Sequence, residues 1–337
     1  MSLSVSIICA CRNERRHITA FLDSLMRQQT GRITWEAVIA DGMSSDGTRE
    51  ILAAYSRQNA RIRVIDNPAK IVAPGLNAAI REARGDIIIR MDAHTEYASD
   101  YIQRSVEALV ETGADNVGGA PRVRPDDFRA RLFGAAYHSH FAVGGARSHD
   151  ASYEGYVDSV FYGCWYKSTL ERLGLFDEAL VRNQDDELNL RLIRSGGKVY
   201  QSAKIVSWYS PRRTVRSLFR QYFEYGFWKV AVIRKHHRPA AWRHIVPGIF
   251  VAAQLTLLLV LAAAILFKSA STWTLLAFLL SVWTVYGASC ILAALKQARR
   301  AGLAAIFLPA LFAIYHFSYG AGFLAGLGKF GFQKKLR

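Results

Sequence analysis

The stretch Gly75–His94, GLNAAIREARGDIIIRMDAH, decides how this chain folds. It reads as a helix near Gly75 to Arg84, a break, and then the apolar run of DIIIRMD, Asp86–Asp92. A continuous apolar run of that kind suits a strand covered on both faces. The strand ends on a carboxylate and, two residues later, on an imidazole. The same alternation runs through the upstream sequence. VSIICAC (Val5–Cys11) precedes a helically spaced set, Ile18, Leu22, Leu25 and Met26, within residues 14–29. WEAVIAD (Trp35–Asp41), a helix over Asp46 to Arg57 and IRVID (Ile62–Asp66) follow. Apolar strands alternating with helices predict an α/β domain, a mostly parallel sheet with helices on both faces.

In such sheets ligands bind beyond the carboxyl ends of the strands. Polar groups gather there: Arg12, Asn13 and Glu14 after the first strand, Asp41 and Gly42 after the second, Asp92 and His94 after the fourth. Each has a purely structural use as well, Asp46 with Thr48 as a helix cap and Asp41 as a turn residue. Three strand ends agreeing point to a site. The first strand is followed neither by a Walker loop nor by GxGxxG, which removes the main support for the usual P-loop and dinucleotide readings. Four cysteines, Cys9, Cys11, Cys164 and Cys290, show neither metal spacing nor a paired framework, as expected in a reducing compartment.

Further along, Pro121 to Tyr156 is rich in glycine and histidine with weak periodicity and reads as a long loop region of the kind that carries substrate contacts. His138, His140 and His149 within it fit no standard metal spacing. QDDELNLRLIRSGG is a helix with Gly196 at its C-terminal cap; Asp185, Leu188 and Leu192 share one face, Asp186, Leu190 and Ile193 the next. Both aspartates can turn inward, and periodicity does not choose between them. Glu187 and Arg191, at i and i+4, suit a surface pair.

The remainder is membrane-like. Ile245–Phe267 and Trp273–Leu295 contain no Asp, Glu, Lys or Arg, and a bilayer core of about 30 Å needs about 20 such residues. A third apolar run, Leu303–Leu327, carries Pro309, His316 and several glycines and is read as a further span. Within it Gly322 and Gly326 make a small-xxx-small spacing that packs helices within the chain or between subunits. SPRRTVRSLFRQYFEYGFWKVAVIRKHHR mixes basic and aromatic residues at helical intervals, as an amphipathic helix on anionic lipid headgroups does. The short apolar start before Arg12 reads as a strand rather than a signal peptide. RKHHRPAAWRH before the first span and KQARR after the second place the soluble part in the cytoplasm by the positive-inside rule. The basic tail GKFGFQKKLR disagrees, because three spans put it outside. A formal charge of +16 suits an anionic membrane or phosphorylated substrate. Its concentration beside the spans favours membrane over nucleic acid. The expected division is a catalytic domain over 1–210, an interfacial region over 211–243 and a membrane domain over 244–337 with two to three spans, in the inner (plasma) membrane.

The chemistry follows from the residue types. Asp-x-His at a strand end supplies one hard oxygen and one imidazole, which suits Mn²⁺ or Mg²⁺ with other positions left for phosphate and water. Asp41 can accept from a base N–H or a ribose hydroxyl. An inward aspartate on the later helix can take a proton from an attacking hydroxyl. Together these parts describe sugar transfer from a nucleotide diphosphate, with attack from the opposite face inverting the anomeric carbon.

In their order, VSIICACRNE, VIADGMSSDGT, GLNAAIREARGDIIIRMDAH and GLFDEALVRNQDDELNLRLIRSGG resemble the inverting glycosyltransferases of family 2, which have the GT-A fold. The resemblance covers residues 4 to about 230. Within the family, YSPRRTVRSLFRQYFEYGFWK followed by apolar spans is similar to membrane-anchored exopolysaccharide glucosyltransferases of the succinoglycan type. The resemblance implies that Ala10, Cys11, Arg12, Glu14, Asp41, Asn77 and Asp92 hold the nucleotide, with Glu14 and Asp41 at base and ribose. It makes Asp92 and His94 the first and last members of the family's Asp-x-Asp metal motif and Asp185 the catalytic base. Gly163, Trp165, Asp186, Arg220, Gln221, Tyr225 and Trp228 are assigned to acceptor or diphosphate contacts. It implies a UDP-sugar donor and a polyprenyl-diphosphate-linked acceptor. Ala10 stands where the family usually has proline, His94 replaces an aspartate and Gln184 replaces an acidic neighbour of the base. The Gln-x-x-Arg-Trp motif of processive enzymes is missing, since Gln221 is followed by YFEYG, so single-sugar addition is expected. The competing readings are a non-catalytic sugar-nucleotide or lipid-binding scaffold and, last, a nucleotidyltransferase.

Overall fold

The computed structural model describes residues 3–210 and 214–331. The chain forms two compact units, 1–123 with 147–210, and 124–146 with the C-terminal helices. In the first unit the strands are β1 (Ser4–Cys11), β2 (Thr34–Asp41), β3 (Ile62–Asp66), β4 (Ile87–Arg90), β5 (Thr95–Tyr97), β6 (Asn116–Gly118), β7 (Gly155–Tyr156), β8 (Cys164–Tyr166), β9 (Val199–Gln201) and β10 (Ser207–Tyr209). Eight of them form one sheet in the order β3-β2-β1-β4-β8-β6-β9-β7, while β5 and β10 pair separately. From β3 to β4 the pairing is parallel, with Cys11 opposite Asp41 and Ile8 opposite Arg90. The doubly covered parallel sheet expected from the apolar runs is therefore present.

Alternation along the strands feeds two cores. Ile7, Cys9, Ile39, Ile87 and Ile89 enter one buried cluster; Ile8, Val38 and Ile88 enter the other, with Leu188 and Leu192. The covering helices are α1 (Ile18–Met26), α2 (Thr48–Gln58), α3 (Val72–Glu82) and α4 (Tyr101–Thr112).

The second unit begins with α5 (Phe128–Tyr137), started by Asp127, whose carboxylate accepts from Ala130 N at 2.7 Å. This helix lies inside the stretch expected to be a loop of the catalytic domain. Its Leu132, Phe133, Ala135 and Ala136 are buried among residues of the C-terminal helices. A helix buried over much of its circumference has no polar face to give its period away. The first unit continues with α6 (Lys167–Leu173) and α7 (Gln184–Arg194). The second contains α8 (Val215–His236), α9 (Val246–Leu266), α10 (Thr272–Lys296), α11 (Ala298–Ala301) and α12 (Leu308–Phe330). Three C-terminal segments, Val246–Leu266, Thr272–Lys296 and Ala298–Phe330, are long and apolar enough to cross a membrane. Gly226 of α8 faces the Tyr319 carbonyl, and Gly322 and Gly326 of α12 face the carbonyls of Phe223 and Phe227, with no room for a methyl group. The small-xxx-small spacing therefore packs α12 against α8 of the same chain.

Candidate active site

The site grows from the end of β4. Ile87, Ile89, Met91 and Ala93 are buried in one core, and the intervening Arg90, Asp92 and His94 fall on the other side of the strand path. Arg90 is 5% exposed in an apolar strand, where an arginine must be paired. Its guanidinium grips Asp92 through Nε to Oδ1 at 2.9 Å and Nη2 to Oδ2 at 3.1 Å. Its Nη1 donates to Oδ1 of Asp185 on the first turn of α7. Asp92 is fixed again by its backbone N–H, which donates to the Tyr97 hydroxyl at 2.6 Å. Tyr97 itself packs edge-on to Tyr101 and Tyr162.

Charge in this cluster sorts the two carboxylates. Burial pushes Asp92 up, but Arg90 and, after it, His94 hold it below the usual carboxylate range. Asp185 is pushed up to about 6, by burial first and then by the charges of Asp92 and Asp186, with Arg90 pulling the other way. Pairs of carboxylates driven apart in this way mark acid–base assignments. Arg90 itself stays protonated, because Asp185 and Asp92 outweigh the burial that disfavours its charge.

His94 is partly exposed and its Nδ1 lies 3.4 Å from Glu14 Oε1, so the ends of β1 and β4 meet there. Its ring also faces Tyr209 edge-on, at 6.3 Å. Among the described residues no three His, Cys, Asp or Glu side chains form a metal cage. One carboxylate and one imidazole fit a cation that takes its other ligands from substrate phosphates and water, and do not fit a self-contained structural site.

The ends of β1 and β2 are stitched together. Asn13 N donates to Ser44 Oγ at 2.9 Å, Ser45 N to Asn13 Oδ1 at 3.0 Å and Glu14 N to Thr48 Oγ1 at 2.9 Å. Asp41 is buried and accepts from Ser44 N at 3.0 Å, Ser44 Oγ at 2.5 Å and Arg49 Nη1 at 3.0 Å. Arg49 continues to Asp66 at 2.8 Å. Asp46 accepts from Thr48 N and Oγ1 and from Arg15 N just ahead of α2, whose N-cap is Gly47 rather than Asp46. Arg12 is exposed beside Gly42, and Ala10 is half-buried. The Cys11 thiol is pushed up to about 12 by burial and by Asp41, so it remains a neutral packing group.

The other assigned residues have partners of their own. Asn77 is buried, and its amide is fully used in holding the loop ahead of α7: its Nδ2 donates to Phe176 O at 2.9 Å and Glu178 Oε1 at 2.8 Å, and its Oδ1 accepts from Phe176 N at 2.9 Å. Trp165 is 2% exposed in an apolar cluster, edge-on to Phe176. Gly163, at φ +90°, leaves no space for a Cβ beside Trp165, and its carbonyl accepts from Arg90 N at 3.0 Å. Glu187 and Arg191 do pair, at 2.7 Å, but Glu187 is wholly buried and Arg191 also ties down the carbonyls of Leu173 and Leu175. Arg220, Gln221, Tyr225 and Trp228 lie on α8 in the second unit, where Gln221 donates to the Tyr225 hydroxyl at 2.9 Å and Arg220 pairs with Glu224 at 3.0 Å. Arg90 was missed from sequence, although an arginine interrupting IIIRM was its signal.

The description "Glycosyl transferase family 2" matches residues 6–154. Succinoglycan biosynthesis protein ExoA of Rhizobium meliloti (strain 1021) is 32% identical over 248 residues, 73% of this chain and 75% of that protein. The chain belongs to glycosyltransferase family 2. A second relative of this transferase is the dolichyl N-acetyl-α-D-glucosaminyl phosphate 3-β-D-2,3-diacetamido-2,3-dideoxy-β-D-glucuronosyltransferase of Methanococcus voltae, 28% identical over 247 residues, 71% of this chain and 76% of that one. A mannosyltransferase of Pyrobaculum calidifontis, solved with GDP-mannose and Mn²⁺, shares the GT-A fold with the family 2 transferase at a TM-score of 0.62 and 18% identity, over 98% of this chain and 88% of that one.

Proposed function

We propose that this transferase moves one hexose, with inversion, from a nucleotide-diphosphate sugar to a polyprenyl-diphosphate-linked acceptor in extracellular polysaccharide or envelope glycan synthesis, working from the cytoplasmic side of the plasma membrane. The observation that carries the reading is Arg90, which holds Asp92 and Asp185 on one guanidinium. A carboxylate suited to the diphosphate end of the donor and a carboxylate suited to deprotonating an acceptor are thereby kept one side chain apart.

Asp92 and His94 are the residues that would hold Mn²⁺ or Mg²⁺, which when bound neutralises charge on the departing diphosphate. Glu14 and Asp41 are the residues assigned to the base and ribose, Asp41 from a buried position at the end of β2. Asp185 takes the proton from the attacking acceptor hydroxyl, and a carboxyl near pH 6 is ionised at neutral pH yet basic enough for the task. Arg90 keeps that carboxylate aimed and partly neutralised. The relatives, one named for succinoglycan synthesis and one for transfer to a dolichyl-phosphate-linked sugar, support the lipid-linked acceptor.

The test is nucleotide release by detergent-purified protein given UDP-, GDP- and dTDP-sugars, Mn²⁺ or Mg²⁺, and membrane lipid extract. Release with one donor, dependent on extract and lost in Asp185→Asn, is expected. Asp185→Asn protein that still turns over, or that complements a deletion strain while binding nucleotide normally, would instead favour a scaffold.

A further inference from the structure

The second unit bears on how many times the chain crosses the bilayer. The α9–α10 hairpin has its register set by Phe250 against Tyr286, with ring centroids 5.2 Å apart. On that scale α12 touches one narrow zone. Phe317 in its middle lies 5.6 Å from both Phe250 and Trp283. His316 Nδ1 meets the Tyr286 hydroxyl at 2.9 Å. Towards its C-terminal end the Tyr319 hydroxyl donates to His244 O at 3.2 Å, Gly320 abuts Pro247 and Val251, and Phe323 covers Gly248. Towards its N-terminal end Leu308, Leu311 and Phe312 join the cluster containing Cys290, Ala293 and Ala294, the base of α10.

At 1.5 Å per residue, Ala294 lies about 12 Å below Tyr286 along α10, and Gly248 about 3 Å below Phe250 along α9. From Phe317 to Phe323 α12 advances about 9 Å, yet its contact on α9 moves from Phe250 back to Gly248, about 3 Å toward the base. A helix antiparallel to α10 and parallel to the hairpin axis would have moved about 9 Å away from the base. α12 instead runs across the hairpin's base.

Its partner on the other side agrees. α12 packs parallel to α8, with Tyr315 4.1 Å from Tyr222 and Phe330 5.0 Å from Phe227. α8 carries Arg220, Glu224, Lys229, Arg234 and Lys235, and Arg234 donates to Phe330 O. Such a set of ionisable residues does not sit in the hydrocarbon core. α12 is covered by protein along one side, with Leu308, Leu311, Phe312, Tyr315, Gly322 and Phe323 among its buried residues. Just before it, Leu303 is 93% and Ile306 77% exposed, beside Arg299 and Arg300, the mixture expected at a headgroup boundary.

We infer that α12 lies in the plane of the membrane interface, packed with α8, and that α9 and α10 are the two crossing helices. The C-terminal tail then stays on the side from which α9 enters, and all three basic segments share one side, as the positive-inside rule asks. The inference rests on the membrane-anchored half of the proposed function and not on its donor or acceptor.

The test places single cysteines in the full chain, Ser269→Cys in the α9–α10 turn and a cysteine appended after Arg337, and treats spheroplasts and inverted vesicles with a membrane-impermeant maleimide. The native cysteines are buried. The two sites are expected to label from opposite faces, each losing most of its labelling in the other preparation. Labelling of both from the same face would overturn the inference, whether because α12 crosses or because the hairpin does not. Nucleotide release by the same two proteins tests the transferase reading separately.

Discussion

Arg90→Gln separates Asp185 from the cation that holds its carboxyl down to about 6. Two unit charges about 4 Å apart interact by about 4 kcal/mol at an effective dielectric of about 20, equivalent to about 3 pH units. The Asp185 side chain is 33% exposed, so solvent screens a good part of this and a rise of about 1 to 2 units remains. In the proposed mechanism Asp185 acts as an ionised base, so kcat/KM is expected to be half-maximal near the carboxyl's pKa and to fall below it. For a shift of about 1.5 units, the variant loses about eightfold at pH 6.5 and regains nearly all of it by pH 9. The assay is nucleotide release at saturating lipid acceptor from pH 5.5 to 9.5. Removing one member of a buried ion pair costs about 3–5 kcal/mol, so thermal unfolding and nucleotide binding are measured on the same protein. Arg90→Lys, which keeps the charge and loses the fork, should leave the acid limb nearer its native position. A folded Arg90→Gln protein whose acid limb superposes on the native one would refute the argument.

Other substitutions test separate pieces. Asn77→Ala strands the Phe176 N–H and should lower stability by about 1–3 kcal/mol while changing nucleotide affinity little; a tenfold loss of affinity with unchanged stability would return Asn77 to the nucleotide site. Gly322→Leu forces α8 and α12 apart and should cost at least about 1–3 kcal/mol in detergent unfolding, whereas Gly328→Ala, with open space at its Cβ position, should cost nothing measurable. Asp92→Asn with His94→Ala should abolish metal-dependent turnover and weaken Mn²⁺ binding measured with nucleotide present; intact binding in that protein would remove both from the metal role.

The sheet was legible because both of its faces are covered, so Val5–Cys11, Trp35–Asp41 and Asp86–Asp92 read as unbroken apolar runs. Strand ends then pointed to a candidate site without any knowledge of side-chain contacts. What resisted reading were residues whose partners are distant in sequence: Arg90 with Asp185, Asn77 with Phe176, and Asn13 with Ser44. Glu187–Arg191 was visible as an i, i+4 pair, but not its burial, which depends on the loop at Leu173–Leu175 closing over it. The third apolar run reads as a candidate span in the sequence and in the structure alike. Hydropathy reports that a helix avoids water and is silent about whether lipid or protein covers it.

The alternation in IRMDAH runs from the end of β4 into the segment after it, and explains how three polar residues gather there. Ile89, Met91 and Ala93 enter the core as alternate residues, and the polar set occupies the positions between them. Each is paired on arrival: Arg90 with two carboxylates, Asp92 with Arg90 and the Tyr97 hydroxyl, and His94 with Glu14. The apolar residues lock the register, since a one-residue slip would turn Arg90 into the core that holds Ile87 and Ile89. The same strand that anchors the core therefore fixes where Arg90 stands, and Arg90 ties Asp92 to Asp185 on α7.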